Sequence, residues 1–292
     1  MNILKAIFGF GSSINKDGKA DKAEKDFEVV KYDGVRAMRS GKPDYAIKCF
    51  TYALGMKDDL EVRDYLSQVY ISSHHLSEAM EQLSTIAAAR PDNVKVYLRM
   101  ANVAYMMEDY DAMAEAASKA MAVDGDNTTA ICLYARAERG RGDNEKAIGI
   151  LTKAIEIDGN CADARLQRGE CFLAAGNCKG AMDDADTLLK SHSDSEDVLL
   201  LKAKAELAAG DKAAAVEWYG KVISVNPFSL PAYKGRGALL RDMGKDDEAE
   251  EDLSKVVEFE HQNTTIASAG QASEGIEDKL SRQYKSQNPY GF

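Results

Sequence analysis

Residues 142–160 read GDNEKAIGILTKAIEIDGN. Gly142 and Asp143 make a turn, and Ala147, Ile148, Leu151, Ala154 and Ile155 then recur at spacings of three and four, one face of a helix. Ile157 continues that apolar pattern, and Asp158-Gly159-Asn160 stops it. A residue as small as Ala147 in the middle of a buried face needs a neighbour that comes unusually close. Steps of 34 residues from Ala147 reach Met113 and Ala79 in one direction, and Ala181, Ala215 and Ala249 in the other. A step of 33 from Ala79 reaches Ala46, so the unit occurs seven times.

A second column of small residues stands twelve positions before the first: Gly34, Ser67, Ala101, Ala135, Gly169, Ala203 and Gly237. A third holds Gly41, Gly142, Gly176, Gly210 and Gly244, with His74 and Glu108 as exceptions. It marks a turn where a glycine's left-handed conformation ends one helix before the next begins. Each copy is therefore two antiparallel helices, here called A and B, that approach closely where both carry small side chains. The larger residues after the B-helix alanine, such as Phe50, Leu83, Leu151, Tyr219 and Leu253, are expected to pack toward the next copy. One copy cannot bury its apolar face alone, so stacking supplies the core. The fold class expected is all-α.

The chain has 292 residues, of which 45% are hydrophobic and 29% charged, with five prolines and one Trp. This suits long helices joined by short turns. A net charge of −11 argues against a nucleic-acid binder, which needs cations to neutralise phosphates. Cys49, Cys132, Cys161, Cys171 and Cys178 are odd in number and form no C-x-x-C, which argues against a disulfide framework and a zinc site and points to a reducing, cytoplasmic setting. They read as small core residues. No P-loop, dinucleotide fingerprint or H-E-x-x-H occurs, and His74-His75 fall in a turn. Carboxylate pairs such as Asp183-Asp184 read as solvent-exposed. We expect no catalytic residue, no cofactor and no metal.

The 34-residue helix-turn-helix unit, with its small-residue columns and a closing proline at Pro91 and Pro227, resembles the tetratricopeptide repeat. Asp58, Gly125, Gly159, Ser193 and His261 replace the proline elsewhere. Tyr110 matches the aromatic after the turn, while Leu76, Asn144, Cys178, Lys212 and Asp246 depart from it. The resemblance covers residues 27–261 and implies a right-handed superhelical solenoid whose A helices line a concave groove. Residues 1–26 read as an apolar segment and polar linker, residues 262–286 as a capping helix striped by Ile276, Leu280 and Tyr284, and 287–292 as a disordered tail.

The resemblance places Lys31, Lys95, Arg99, Asn102, Tyr105, Arg136 and Arg139 in the groove, followed by an apolar strip of Leu166, Leu173, Leu200 and Leu207 with Lys204 between them. A guanidinium fork suits a carboxylate, so the expected ligand is a protein segment, acidic or C-terminal, anchored at Arg99 and Arg136. The opposing expectation is that these cations pair with groove acids such as Asp64, Asp163 and Glu170. Lys31, Lys95 and Arg99 also match three columns of a five-residue carboxylate clamp found in one subfamily, but Val35 and Tyr65 stand in its two asparagine columns. The function expected is a non-catalytic protein-interaction scaffold, self-association being open. Alternatives are a membrane-surface adaptor anchored by Ile3, Leu4, Ile7 and Phe8, and an RNA-binding helical repeat, against which the acidity counts.

Overall fold

The computed structural model describes residues 16–261. Among them every regular element is a helix, and the architecture is an all-α repeat solenoid. The chain divides into two compact units at Asp143/Asn144. The first holds α1 (Lys16–Arg39), α2 (Pro43–Met56), α3 (Leu60–Ser72), α4 (Leu76–Ala89), α5 (Val94–Met106), α6 (Tyr110–Val123) and α7 (Thr128–Gly140). The second holds α8 (Asn144–Ile157), α9 (Ala162–Ala174), α10 (Cys178–Leu189), α11 (Glu196–Ala208), α12 (Lys212–Val225), α13 (Leu230–Asp242) and α14 (246–261).

The turn column behaves alike in every copy. Gly41, Gly142, Gly176, Gly210 and Gly244 have positive φ, and so do His74 and Glu108, at 59° and 57°. In each turn the amide of the next residue reaches the carbonyl five positions back, as in His75→Tyr70, Asp109→Ala104 and Asp211→Glu206. This bond satisfies a carbonyl that the helix end would otherwise orphan. The B helices then restart on a side-chain cap where the sequence supplies one: Asp109, Asn177 and Asp211 each accept from the amide three residues on.

Both small-residue columns are buried throughout. A Cβ built on Gly34 would lie 2.6 Å from Phe50 Cε1, so this glycine is the space into which the B-helix ring fits. Phe50 therefore packs within its own helix pair as well as toward the next, where it stacks on Tyr65 with ring centroids 5.7 Å apart. Gly169 serves the next pair instead, since its Cβ would lie 2.6 Å from Leu201 of α11. Each core spans helices from successive pairs. Phe27 and Ala37 of α1, Ala46, Phe50 and Ala53 of α2, and Val62, Leu66 and Val69 of α3 form one such cluster.

Three expectations change. The polar linker is helical from Lys16 onward, as the first turns of α1. Alanine, lysine and glutamate favour helix there, and Lys57 ties it to the end of α2 by bonding Glu24 at 2.8 Å and lying 5.0 Å from the Phe27 ring centre. Asp184 is buried rather than solvated, because Arg168 faces it across the pair. Ile157 ends its helix exposed, beyond the buried face of Ala147, Leu151 and Ala154. Of the cysteines, Cys49, Cys132 and Cys171 are buried, and Cys161 and Cys178 are partly exposed. The apolar segment 1–12, the expected cap at 262–286 and the tail at 287–292 lie outside the described residues.

Candidate functional site

In the first unit, side chains of neighbouring A helices meet in a ladder. Between α1 and α3, Lys31 donates to Glu61 at 3.1 Å, and also to Glu28 of its own helix at 3.1 Å. Tyr65 donates to the same Glu61 at 3.0 Å. Between α3 and α5, Arg99 donates to Asp64 and, at 2.6 Å, to Ser67 Oγ. Between α5 and α7, the Arg136 guanidinium lies 5.5 Å from the centre of the Tyr105 ring. Helical spacing explains the alignment: Lys95, Arg99, Asn102 and Tyr105 follow one another along one face of α5 while Val96, Tyr97, Val103 and Ala104 fill the core.

The cations differ in what they can still do. Lys31 is half-buried with its ammonium between two carboxylates. Burial alone would lower its pKa, but the hydrogen bonds to Glu61 and Glu28 and the charges of both outweigh that, and it is pushed up to about 12. Arg99 is likewise committed to Asp64. Asp64 is one of the acids that sequence reasoning named as competitors; Glu61 and Glu28 were not named. Lys95 is exposed and lines, with Arg90, a groove of about 370 Å³ whose floor is Leu60, Ile86 and Val96 and whose rim carries Glu61, Asp64, Asn93 and Arg99. Asn102 and Tyr105 are also exposed, and Arg139 is half-buried near the end of α7. Arg90 was missed because it falls in the connection after α4, outside the repeated A-helix columns. A clamp-like capture of a carboxylate is not prearranged here: Lys31 already holds two acids, and Tyr65 is turned to Glu61 and stacked on Phe50.

The apolar strip of the second unit is divided. Leu200 is a core residue, 8% exposed, packed among Ala203, Tyr219 and Val222. Leu166 and Leu173 are half-buried against Ala185, Leu188, Val198 and Leu201. Lys204 and Leu207 are exposed on α11. Sequence reasoning also missed the buried ion pairs of this unit. Arg168 holds Asp184 at 2.8 and 2.7 Å, and Arg236 holds Asp252 at 2.8 and 2.7 Å. In both, the arginine precedes the A-helix glycine and the aspartate follows the B-helix alanine by three, a signal visible once the columns are aligned.

Family models described as tetratricopeptide repeat match residues 138–205 and 196–229. The chain carries tetratricopeptide repeats. A solved tetratricopeptide repeat protein from Parabacteroides merdae superposes with a TM-score of 0.70 over 80% of this chain and 93% of that one, at 13% identity. PilW, a type IV pilus biogenesis factor, superposes with a TM-score of 0.57 over 70% of this chain and 91% of its own, at 16% identity. At these identities the likeness is one of fold. Among curated proteins, human DnaJ homolog subfamily C member 3 is 29% identical over 160 residues, 49% of this chain and 32% of that protein. Cellulose synthase operon protein C of Pseudomonas fluorescens is 29% identical over 102 residues, 35% of this chain and 8% of that protein. This tetratricopeptide repeat chain thus spans about a third or less of the curated relatives it matches. Among the described residues no helix is long and apolar enough to cross a membrane. The fold supports a protein-interaction scaffold.

Proposed function

We propose that the chain is a non-catalytic scaffold of the cytoplasm that holds an extended, acidic segment of a partner protein across the A helices of its first unit. One observation carries this reading: α5 leaves a cation, an amide and an aromatic ring exposed in succession, at Lys95, Asn102 and Tyr105, beside the Arg136 guanidinium. A carboxylate meets Lys95 at the groove it shares with Arg90, backbone amides of the partner meet Asn102, and an apolar side chain lies on Tyr105. Lys31 and Arg99 set the helix spacing, their charge being already met by Glu61 and Asp64.

The test is affinity capture from native lysate with wild type beside a Lys95→Glu/Arg136→Glu variant, both checked for helicity by circular dichroism. Synthetic peptides from the captured protein are then titrated. Loss of at least tenfold in peptide affinity with the fold intact supports the site. Equal affinity for both proteins removes binding from this face.

A further inference from the structure

The groove beside α5 is lined by five charged side chains, Glu61, Asp64, Arg90, Lys95 and Arg99. Both of its acids are already answered. Glu61 accepts from Lys31 at 3.1 Å and from Tyr65 at 3.0 Å. Asp64 accepts from Arg99 and, at 2.8 Å, from Gln68. Arg90 and Lys95 are exposed, and neither is paired with an acid among the described residues. With Lys31 and Arg99 set against the two acids, the groove keeps two positive charges. The repeat does not require them. In the columns of Arg90 and Lys95 the neighbouring copies hold Lys57 with Glu61, Asp124 with Thr129, and Asp158 with Asp163. Cations meet at both positions in this copy alone.

We infer that Arg90 and Lys95 receive a phosphorylated serine or threonine of the partner segment. This rests on the reading of the same face as a site for an acidic segment, and it names the acid. Two uncommitted cations in one groove call for two negative charges at one place. An extended segment does not bring two carboxylates there, because neighbouring side chains point to opposite faces and those two apart stand about 6.6–6.8 Å from each other. A phosphate puts about −1.5 to −2 of charge and three acceptor oxygens on a single side chain at pH 7. A guanidinium fork suits two of those oxygens, which leaves the third to the Lys95 ammonium. Leu60, Ile86 and Val96 give the carbon stem of the same side chain an apolar floor. Asp92, in the connection between α4 and α5, is not part of the lining, and Glu61 and Asp64 stay neutralised by Lys31 and Arg99.

The probes are three degenerate, fluorescein-labelled peptide pools, identical except for phosphoserine, glutamate or serine at a fixed central position. They are titrated by anisotropy, at an ionic strength of about 0.15 M, against the full chain as wild type and as Arg90→Gln/Lys95→Gln. Both replaced residues are exposed, and circular dichroism checks that the array is unchanged. The expected result is at least tenfold tighter binding of the phosphoserine pool than of the glutamate pool, a preference that the double variant loses. Equal binding of those two pools, lost in Lys95→Glu/Arg136→Glu, overturns the phosphate assignment and leaves the acidic-segment reading in place. A phosphoserine preference that survives in Arg90→Gln/Lys95→Gln puts the phosphate elsewhere and overturns the assignment. Binding of neither charged pool overturns both readings. Co-sedimentation with vesicles containing phosphatidylinositol phosphates, without a preference among the peptides, gives the two cations to a lipid headgroup and overturns the assignment too.

Discussion

The Asp184 carboxylate, 2% exposed, accepts two hydrogen bonds from the Arg168 guanidinium, at 2.8 and 2.7 Å. The pair joins α9 to α10 from within one helix hairpin, and Arg236–Asp252 repeats it between α13 and α14 at the same sixteen-residue separation. In the hairpin between them the corresponding positions are Lys202 and Trp218, with the ammonium 5.9 Å from the ring centre. Lys202 takes its carboxylates from Asp186 at 2.7 Å and Glu206 at 3.1 Å instead. A bidentate pair sets the register of two helices that alanine packing alone would leave free to slide.

Removing one partner leaves the other desolvated. Asp184→Ala is therefore expected to cost about 3 kcal/mol, while the paired change Arg168→Met/Asp184→Leu costs much less, because it removes both charges and keeps the volume. Urea unfolding of the two variants checks this. Equal losses would mean that the ion pair itself, rather than the stranded charge, governs stability.

The close crossings respond to a single methyl group. Gly34→Ala drives a Cβ into the Phe50 ring and is expected to lower stability by about 1–3 kcal/mol, with Phe50→Leu recovering part of it. Ala147→Leu, at a fully buried position, falls in the same range. Thermal melts of the Gly34 and Phe50 single and double variants measure the coupling, and additive losses would place the strain elsewhere.

Two turns hold side chains where five use glycine. His74 and Glu108 sit at positive φ and are exposed, so neither gains packing in return. His74→Gly and Glu108→Gly are each expected to stabilise by about 0.5–1 kcal/mol, the relief of left-handed strain exceeding the added chain entropy. Gly210→Ala should cost about 1 kcal/mol for the converse reason. Denaturant midpoints provide the comparison.

The Lys31 ammonium is held at about 12, above the ordinary 10.5, by Glu61 and Glu28 against the opposing effect of burial. The folded state thus binds this proton more tightly than the unfolded chain does. Its contribution to stability is complete below pH 10.5 and is lost as pH rises through about 12. A carbon NMR titration of the lysine ε-methylenes should show Lys31 protonated where exposed lysines have titrated, and Glu61→Gln should shift it back toward them.

Much of this arrangement is legible in the residue order. The column through Ala147 marks the crossings, the column through Gly142 marks the turns, and both hold because helix periodicity and chain reversal are local. The same local reasoning fails for Asp184, whose neighbour Asp183 is solvated on the same helix: the arrival of Arg168, with Arg165 at 3.6 Å, from another helix makes burial tolerable. It fails for Leu200, which shares the expected strip on α11 with exposed Leu207 yet lies in the core cluster with Tyr219. It is incomplete for Arg99, which the A-helix register brings to the site face but which Asp64 has already engaged.

The sequence by itself determined the helices, their pairing and the family, because a repeat of fixed length with small residues at fixed places has one economical way to bury its apolar face. Only the tertiary structure decided which charges on that face are spent on one another and which leucines belong to the core. Those outcomes depend on distances between side chains far apart in the chain, and the 34-residue period carries no record of them.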